Sequence, residues 1–441
     1  MLRYINFFSF LFLLHWSLLW GSINTSHIEF FGFEKNVTQS VNSLRIILPL
    51  LFSILISIYF IYIFFTKKIK IKKIHLYFFA IGISQLIGLY LNNERIFLYF
   101  GNENGFDMTN INLIIFPFAV IFLFILCEYH CLNYLYKFFF AFVFFFLILI
   151  FNFSFWPKFH NFSDLYFLYE IFNPHDTNIF EEPSIRITGL SRILAIINLF
   201  IILYFLNLKK TYFKMFLQFF VIICTTLLFF MQSRGTLLCY FVSLVFIIFI
   251  IWNDKANHKI KGILLFIMTP LFLFFLINNH LQKNIKLKDI SESNIRALTI
   301  NTSGRSQIWS FTLKNYEYKK IFGYGPNGDR FFLKDFDKKK EFGDNASNNF
   351  IYCFISGGIV SLFFLTLVFF NFLLILKKFI KKKTENLNKS LFIENLSIIC
   401  LIYFSTRSIF ENSFGIFSVD FLITYLSFAY LSSMKEYELF S

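Results

Sequence analysis

Charged residues are scarce in this sequence, and their scarcity bounds the class of protein. Only 15% of the 441 residues are Asp, Glu, Lys or Arg, whereas a soluble domain of this length carries about a quarter. Hydrophobic residues make up 57% of the chain, and Phe alone occupies 72 positions. One soluble core cannot bury that much apolar surface, so the composition excludes an ordinary globular domain and indicates a membrane protein.

Three other features are missing. No small-residue cleavage site follows the first apolar run at about 4–20, so we expect a retained helix there and not a signal peptide. No phosphate-binding GxxxxGK motif is present, so nucleotide hydrolysis has no support. None of the six cysteines lies in a long outer loop, and no Cys or His cluster completes a metal site. We therefore expect no structural disulfide, no metal and no other cofactor.

Apolar runs near the length of a membrane span recur along the whole chain. A helix of about 20 residues spans about 30 Å of hydrocarbon, and Tyr and Phe crowd the ends of the runs as an aromatic belt would. We therefore predict an all-α polytopic membrane protein with about 12 transmembrane helices. The runs lie at about 4–20, 44–66, 74–91, 111–127, 138–156, 190–206, 213–231, 236–252, 263–278, 348–376, 391–406 and 416–433.

Lysine and arginine set the orientation of the chain, because basic residues collect in cytoplasmic loops. The short segments that we place in the cytoplasm carry 20 of the 41 basic residues, and the short outer segments carry 8. Both chain ends then lie in the cytoplasm. The net charge of +15 is explained by the bilayer and is no evidence for a nucleic-acid partner.

The predicted spans divide the chain into three parts. Residues 1–278 hold transmembrane helices 1–9, residues 279–347 form one large outer loop, and residues 348–441 hold transmembrane helices 10–12. The large loop is the only stretch long enough to fold as a small polar subdomain. The apolar run at 348–376 is long enough to begin as a re-entrant or tilted segment.

Five arginines lie at or near the predicted outer face, although Lys dominates the cytoplasmic loops. A guanidinium at a membrane boundary is costly unless it snorkels into the interface or meets an anion, and snorkelling is the alternative for any single one. As a set they favour a ligand, because the rigid fork of Arg suits phosphate and a diphosphate takes two or more such donors. The five are Arg186, Arg192, Arg234, Arg305 and Arg407.

The large outer loop carries two short motifs. Gly304 lets the backbone turn beside Arg305, and Trp309 follows four residues later on the same helix face, where it would anchor Arg305 at the interface. Further along, a Gly-Tyr-Gly sequence at 323–325 marks a turn whose amides would face an anion or a sugar. Ordinary loop punctuation is the alternative for each glycine.

The order and spacing of these elements resemble the O-antigen polymerase and ligase family. These are bacterial enzymes that transfer glycans from undecaprenyl diphosphate on the outer side of the inner membrane. The similarity is sharpest over about 304–361, where Asn348 and Gly358 keep the family's ten-residue step. Arg186 before one span and Arg234 between two others are similar as well.

The sequence departs from the family pattern at two positions. Ser347 stands where the ligases have a His immediately before the Asn, and Ser361 stands where a Gly is expected. Because Ser is a poor general base on its own, Ser347 favours a polymerase over a ligase, which hands finished polymer to a lipid A core sugar. A flippase for the same lipid-linked sugars is an alternative from another class. Transporters often carry charged or broken helices at mid-membrane, whereas the spans here are nearly free of charge and most polar residues lie in one late outer loop. This asymmetry favours an enzyme that acts at the outer surface over a flippase.

The resemblance implies a GT-C-like glycosyltransferase architecture. It also implies metal-independent transfer of a growing glycan from undecaprenyl diphosphate to a lipid-linked acceptor, on the periplasmic side of the bacterial inner membrane. The implied partners are undecaprenyl-diphosphate-linked oligosaccharides and the lipid bilayer, and there is room for a chain-length regulator. We expect the large loop to pack over a cavity that opens sideways to lipid, since the substrate's tail would stay in hydrocarbon.

The resemblance also assigns roles to single residues. Arg234 and Arg305 would converge on the diphosphate and stabilise its developing charge. Glu411 is the first acid candidate, and its alternative role is a helical ion pair with Arg407, four residues earlier. The predicted substrate-binding residues are Arg186, Arg192, Trp309, Tyr324, Ser347, Asn348 and Arg407.

Overall fold

The computed structural model describes most of the predicted spans. The described residues are 35–66, 71–92, 101–102, 105–106, 108–127, 187–207, 211–230, 233–252, 305–316, 321–333, 346–384, 392–417 and 420–434. Three predicted spans, at about 4–20, 138–156 and 263–278, lie outside these residues. The predicted total of 12 spans, which depends on them, therefore stays a prediction.

Helices account for almost all of the described chain, which agrees with the predicted all-α class. In a bilayer every backbone N–H and C=O must be paired within its own segment, so long apolar runs form helices. The exception is an antiparallel pair of two-residue strands, β1 (Gly101–Asn102) and β2 (Gly105–Phe106). The helices are α1 (Lys35–Thr66), α2 (Lys73–Leu91), α3 (Met108–Leu126), α4 (Ile187–Asn207), α5 (Thr211–Phe230), α6 (Arg234–Trp252), α7 (Arg305–Asn315), α8 (Gly328–Leu333), α9 (Asn349–Thr384), α10 (Phe392–Arg407) and α11 (Phe421–Ser433).

The helices have the surface of a membrane protein. Within the described residues, α2 and the stretch Asn349–Lys383 of α9 are long and apolar enough to cross a bilayer. Six other helices contain shorter apolar stretches of 10–17 residues. Large apolar side chains also point outward, such as Ile58 and Phe65 of α1, which are 60% and 81% exposed. A surface this apolar fits lipid better than water.

Helices α10 and α11 form the centre of the bundle. Almost every residue of both is buried, as expected of helices that other helices surround. Helices α4 and α6 pack against α10, whereas α2 packs along α9 and α1 packs along α3. Phe78 of α2 contacts the rings of Phe421, Tyr425 and Phe428 of α11. These ring contacts fix an early helix to the last one.

The two ends of the bundle differ in chemistry. At one end, which we call the lysine end, Lys72 donates to the backbone carbonyl of Ser432, and Lys382 pairs with the buried Glu394 at 3.1 Å. At the other end, which we call the arginine end, α4, α6, α9 and α11 begin, and α10 ends with Arg407. The helix termini that meet at the lysine end are those that the distribution of basic residues assigns to the cytoplasm.

Helix α9 consists of two helical parts that meet at a break. Gly358 has φ 66° and ψ −161°, which lie outside the helical region. The carbonyls of Ile355 and Ser356 accept hydrogen bonds at 2.9 and 2.7 Å from backbone N–H groups of the turn at 321–325. The turn replaces the helical amides that the break removes, and such pairing is what allows non-helical backbone inside a membrane protein.

A Gly358→Ala substitution is expected to destabilise the protein strongly. Its positive φ disfavours any side chain, and a Cβ there would lie 1.9 Å from the carbonyl oxygen of Ile321. Backbone strain of this kind costs about 1–3 kcal/mol before the overlap is counted. Thermal unfolding of the purified protein in detergent measures the effect. Gly235→Ala is the matched control, because the nearest neighbour of its Cβ would be Phe410 at 3.8 Å. Equal unfolding temperatures for the two variants would contradict the break.

Candidate functional site

Asp420 lies buried at the arginine end, immediately before α11. Arg192 reaches one oxygen of its carboxylate through a terminal guanidinium nitrogen at 3.0 Å. Arg407 donates from Nε to the other oxygen at 3.3 Å, and the Ser413 hydroxyl donates to that same oxygen at 2.9 Å. We call these four residues the Asp420 cluster.

Three helix ends bring the Asp420 cluster together. Arg192 lies near the start of α4, Arg407 is the last residue of α10, and Asp420 directly precedes α11. Only a short connection joins α10 to α11, so α11 begins at the same end of the bundle at which α10 ends. Helix α4 packs against α10. A cation at a helix C-terminus and an anion at a helix N-terminus both complement the helix dipole. Local structure therefore favours the charges of Arg407 and Asp420 where they stand, whereas that of Arg192 depends on its pairing with Asp420.

Hydroxyl groups border the guanidinium groups. Thr236, in the first turn of α6, accepts a hydrogen bond from Arg407 at 3.4 Å. The hydroxyls of Ser191 and Ser233 lie 3.3 and 3.0 Å from the Thr236 hydroxyl. These contacts place the start of α6, the helix that begins with Arg234, beside the Asp420 cluster.

Positive charge exceeds negative charge in the Asp420 cluster. Arg192 and Arg407 are each 5% exposed and share the single carboxylate of Asp420, which is 2% exposed. Among the described residues, two guanidinium groups and one carboxylate leave a formal charge of about +1 where water is largely excluded, and an unbalanced buried charge is unfavourable. A bound anion would balance it.

Arg305 forms a second, more open ion pair at the same end. It begins α7, and its guanidinium lies 3.7 Å from the carboxylate of Glu411 and 5.9 Å from the ring centroid of Phe410. The side chains of Arg305 and Glu411 are 28% and 38% exposed, so a ligand can reach both. The pair adjoins the Asp420 cluster, because the Glu411 N–H donates to the Arg407 carbonyl at 2.9 Å.

The expected ion pair between Glu411 and Arg407 is wrong. Although they stand four residues apart, α10 ends at Arg407, and beyond the helix the chain turns. The Arg407 side chain pairs with Asp420, whereas the Glu411 side chain pairs with Arg305. The spacing that predicts an ion pair holds only while both residues belong to one helix.

Asn348 caps the start of α9. Its side-chain oxygen accepts hydrogen bonds from the N–H groups of Phe350 and Ile351 at 2.9 and 3.1 Å, which is the usual capping geometry. Its amide nitrogen donates to the carbonyl of Ile409 at 3.0 Å. Asn348 thereby holds α9 to the segment that carries Glu411. Its predicted contact with substrate stays a prediction.

Trp309 fixes α7 against the chain just before α9. Its indole N–H donates to the carbonyl of Ala346 at 3.0 Å, and the Ala346 N–H donates to the carboxylate of Asp329 at 3.0 Å. Ser347, the next residue, has a positive φ of 45°, which is strained for a residue with a side chain. The predicted roles of Trp309 and Ser347 in substrate binding stay predictions, as does an interfacial anchor for Arg305.

The turn at 323–325 does not offer all its amides to a ligand. The N–H groups of Tyr324 and Gly325 donate to carbonyls of α9, so the hypothesis that they face an anion or a sugar is wrong for these two groups. The Tyr324 ring is buried against three other aromatic rings of the same segment. The turn, which lies between α7 and α8, therefore packs against the break in α9. A substrate contact of Tyr324 stays a prediction.

Two of the predicted site arginines cannot be compared with the others. Arg186 and the side chain of Arg234 lie outside the described part of the structure, which gives only the start of α6 at Arg234. The convergence of Arg234 and Arg305 on one diphosphate therefore stays a prediction.

Asp420, Ser413 and Thr236 are site residues that the sequence motifs do not include. Asp420 does have a signal, because it falls inside the predicted run at 416–433, and an acid in an apolar run marks a paired or functional position. The structure begins α11 only at Phe421, so the predicted run starts too early and includes the acid. Thr236 carries no such signal, since Thr is common in membrane helices, and neither does Ser413, which lies in the connection between α10 and α11.

Comparison with known proteins gives one match. A family model described as O-antigen ligase matches residues 219–366. The matched stretch runs from the middle of α5 past the break in α9, and it includes the start of α6 and all of α7. The Asp420 cluster lies outside it. A search of curated proteins and a search of solved structures gave no match.

Proposed function

We propose that this protein transfers a glycan from a polyprenyl-diphosphate carrier to an acceptor hydroxyl, and the match of residues 219–366 to a family model described as O-antigen ligase supports the proposal. We place the reaction at the arginine end of the bundle. The observation that carries this placement is the Asp420 cluster, in which two buried guanidinium groups share one carboxylate. A diphosphate leaving group is the anion that such a reaction would bring to this excess of positive charge.

The proposed reaction is a displacement at the anomeric carbon of the donor sugar. The acceptor oxygen forms the new glycosidic bond while the bond from that carbon to the diphosphate oxygen breaks. The diphosphate leaves with the electron pair, and the acceptor's proton passes to a base. Glu411 is the candidate base, because its carboxylate is partly exposed beside Arg305. Guanidinium groups that are already in position stabilise the leaving charge without reorganisation.

The arginines would act in two ways. Arg192 and Arg407 are held in place by Asp420 and buried, so their charge is preorganised. Among the described residues, Arg305 contacts the Glu411 carboxylate at 3.7 Å and the Phe410 ring at 5.9 Å, and partly exposed ion pairs are weak. An arriving diphosphate carries more negative charge than one carboxylate and would draw Arg305 away from Glu411. That exchange would free the carboxylate to accept the proton.

We propose the polymerase reaction in particular, in which the acceptor is a second undecaprenyl-diphosphate-linked oligosaccharide at the periplasmic face of the inner membrane. Ser347 supports it, because this position lacks the His that the resemblance leads us to expect in a ligase. O-antigen ligase, with lipid A core as the acceptor, is the second candidate, because that is the description of the matching family model.

A comparison of acceptors separates the two reactions. Purified protein in liposomes would receive the lipid-diphosphate oligosaccharide either alone or together with lipid A core. A polymerase is expected to give a ladder of repeat units from the donor alone. A single transfer that requires lipid A core would identify a ligase instead. Movement of the donor across the bilayer with no new glycosidic bond would support a flippase and contradict the proposal.

Cysteine labelling tests whether the arginine end faces the periplasm. In a variant without the six native cysteines, Lys70→Cys is expected to react only with membrane-permeant reagents, and Asp335→Cys is expected to react with impermeant reagents added outside. The reason is the unequal distribution of basic residues, 20 in the assigned cytoplasmic segments against 8 in the short outer ones. Reaction of both positions from the same side would contradict the assigned orientation.

A further inference from the structure

Helices α1, α2 and α3 border an apolar groove at the lysine end of the bundle. The last two turns of α1 and of α3 line it, together with Ile71 and the first two turns of α2. Its volume is about 370 Å³, which falls in the range of about 300–1,000 Å³ that is usual for ligand sites. Two helical turns correspond to about 11 Å, so the groove lies close to the ends of all three helices.

Phe122 of α3 joins the three helices along the groove. Its ring stacks on that of Phe60 at a centroid distance of 4.4 Å and lies 6.1 Å from that of Phe79, so it contacts both α1 and α2. Among the described residues that line the groove, His75 is the polar exception, and its Nδ1 pairs with the hydroxyl of Tyr425. No charged side chain belongs to this lining, so the groove suits an apolar ligand.

The groove is open at its rim within the described part of the chain. Ile61, Phe64 and Leu76 line it and are each at least 50% exposed, and Phe65 of the same lining is 81% exposed. An empty groove would leave these side chains without dispersion partners on one side. In a bilayer, the apolar material that meets such a surface is the hydrocarbon of the lipids.

Positive charge borders the groove. Lys73, the first residue of α2, is exposed and stands between Ile71 and His75, which both line the groove. The seven residues at 67–73, three of which the structure describes, include five lysines and no acid. The chain directly after the described end of α3 adds one acid, Glu128. An excess of positive charge therefore lies where the groove meets the membrane surface.

We propose that this groove binds an acyl chain of an anionic phospholipid, whose phosphate lies beside Lys73. The two parts of the lipid match the two parts of the site, since the chain is apolar and basic residues near a membrane surface attract anionic headgroups. The distribution of basic residues assigns the lysine end to the cytoplasm, so the lipid comes from the cytoplasmic leaflet. The Asp420 cluster lies at the opposite end, so lipid binding here does not depend on the proposed reaction.

Lipid titration of the purified full-length protein in detergent tests the charge of the site. The probes are phosphatidylglycerol and phosphatidylcholine with the same acyl chains, and native mass spectrometry measures the affinity for the first bound lipid. We expect phosphatidylglycerol to bind more tightly, and Lys73→Gln to lower its affinity about fivefold, the effect of one lysine near an anionic surface. Equal affinities of the wild type for the two lipids, or an unchanged affinity for phosphatidylglycerol in Lys73→Gln, would overturn the proposal.

A second pair of variants tests the groove itself. Leu76→Trp places a larger side chain at the rim and is expected to weaken the binding of both lipids. Ile61→Trp does the same from α1, and it replaces Leu76→Trp if thermal unfolding shows that the latter is misfolded. Wild-type affinity for phosphatidylglycerol in a folded groove variant would overturn the proposal.

Two substitutions in α9 are the matched controls. Lys377→Gln removes an exposed lysine, and Leu373→Trp enlarges a side chain that is 57% exposed. Neither residue lines the groove. Both variants are expected to keep the wild-type affinity for phosphatidylglycerol. Losses as large as those in Lys73→Gln and Leu76→Trp would overturn the assignment of the lipid to this groove.

An electron cryo-microscopy map of the protein in nanodiscs that contain phosphatidylglycerol identifies the occupant. Chain-shaped density against the Phe122 ring, with headgroup density within reach of Lys73, is the expected result. A protein helix in the groove, from a second copy or from another part of the same chain, would overturn the proposal. Tighter binding of a polyprenyl phosphate than of phosphatidylglycerol, in the same titration, would assign the groove to a polyprenyl carrier and would overturn it as well.

Discussion

An Asp420→Asn variant is expected to lose nearly all glycan transfer and much of its thermal stability. Asn keeps the shape of the side chain and an oxygen that can accept from Ser413, but it removes the charge that Arg192 and Arg407 share. Removing one partner of a buried ion pair costs about 3–5 kcal/mol, because the remaining charge stays buried without compensation. At roughly 1.4 kcal/mol per factor of ten, a loss of that size in the transfer step is a factor of about 10² to 4 × 10³.

The loss of transfer has to be separated from the loss of fold. Glu394→Gln is the matched control, because Glu394 is completely buried and paired with Lys382 at 3.1 Å at the lysine end. This variant is expected to be destabilised and yet to keep its transfer rate per folded molecule. Thermal unfolding and the transfer rate would be measured on the same preparations. Equal losses of transfer in both variants would contradict the placement of the site at the arginine end.

An Arg305→Ala variant is expected to lower the transfer rate by about 10² to 10³, the usual cost of losing one hydrogen-bond donor to a developing negative charge. Its unfolding temperature is expected to change little, because Arg305 and Glu411 are 28% and 38% exposed and such pairs contribute at most about 1 kcal/mol. Arg305→Lys keeps the charge but loses the planar fork, so its rate is expected to stay well below that of the wild type.

Arg330→Lys is the matched control for this experiment. Arg330 belongs to the same polar segment, lies in α8 and is exposed, and the proposed chemistry does not use it. Its replacement is expected to leave the transfer rate unchanged. Near-normal transfer by Arg305→Ala, at equal amounts of folded protein, would contradict a role for Arg305 in the reaction. It would also contradict the proposed exchange, in which Arg305 leaves Glu411 and binds the diphosphate.

The helices could be predicted from the sequence because their cause is local. A long apolar run pairs its own backbone, so the predicted run at 236–252 corresponds closely to α6, which begins at Arg234. The prediction is less accurate where composition changes inside one helix. The apolar run at 348–376 stops before a group of lysines, whereas α9 continues to Thr384, because Lys is a good helix former and nothing there breaks the helix.

The candidate site could be predicted only in part, because its contacts join distant segments. The sequence indicates arginines at one end of the bundle, and Arg192, Arg305 and Arg407 do lie there. Which acid each arginine meets depends on the packing of α4, α10 and α11, and a spacing of four residues suggests the wrong partner for Arg407. The break in α9 is a similar case, because Gly358 marks a flexible position but does not show which turn fills it.

The most direct test of the proposed function is the stoichiometry of diphosphate release. Purified protein in liposomes would be given a lipid-diphosphate oligosaccharide whose lipid and sugar carry different labels. We expect each new glycosidic bond to release one polyprenyl diphosphate, and we expect Asp420→Asn and Arg305→Ala to slow both events together. Folded wild-type protein that releases no polyprenyl diphosphate while acceptor is present, or that moves the intact donor between leaflets without forming a bond, would contradict the proposed function.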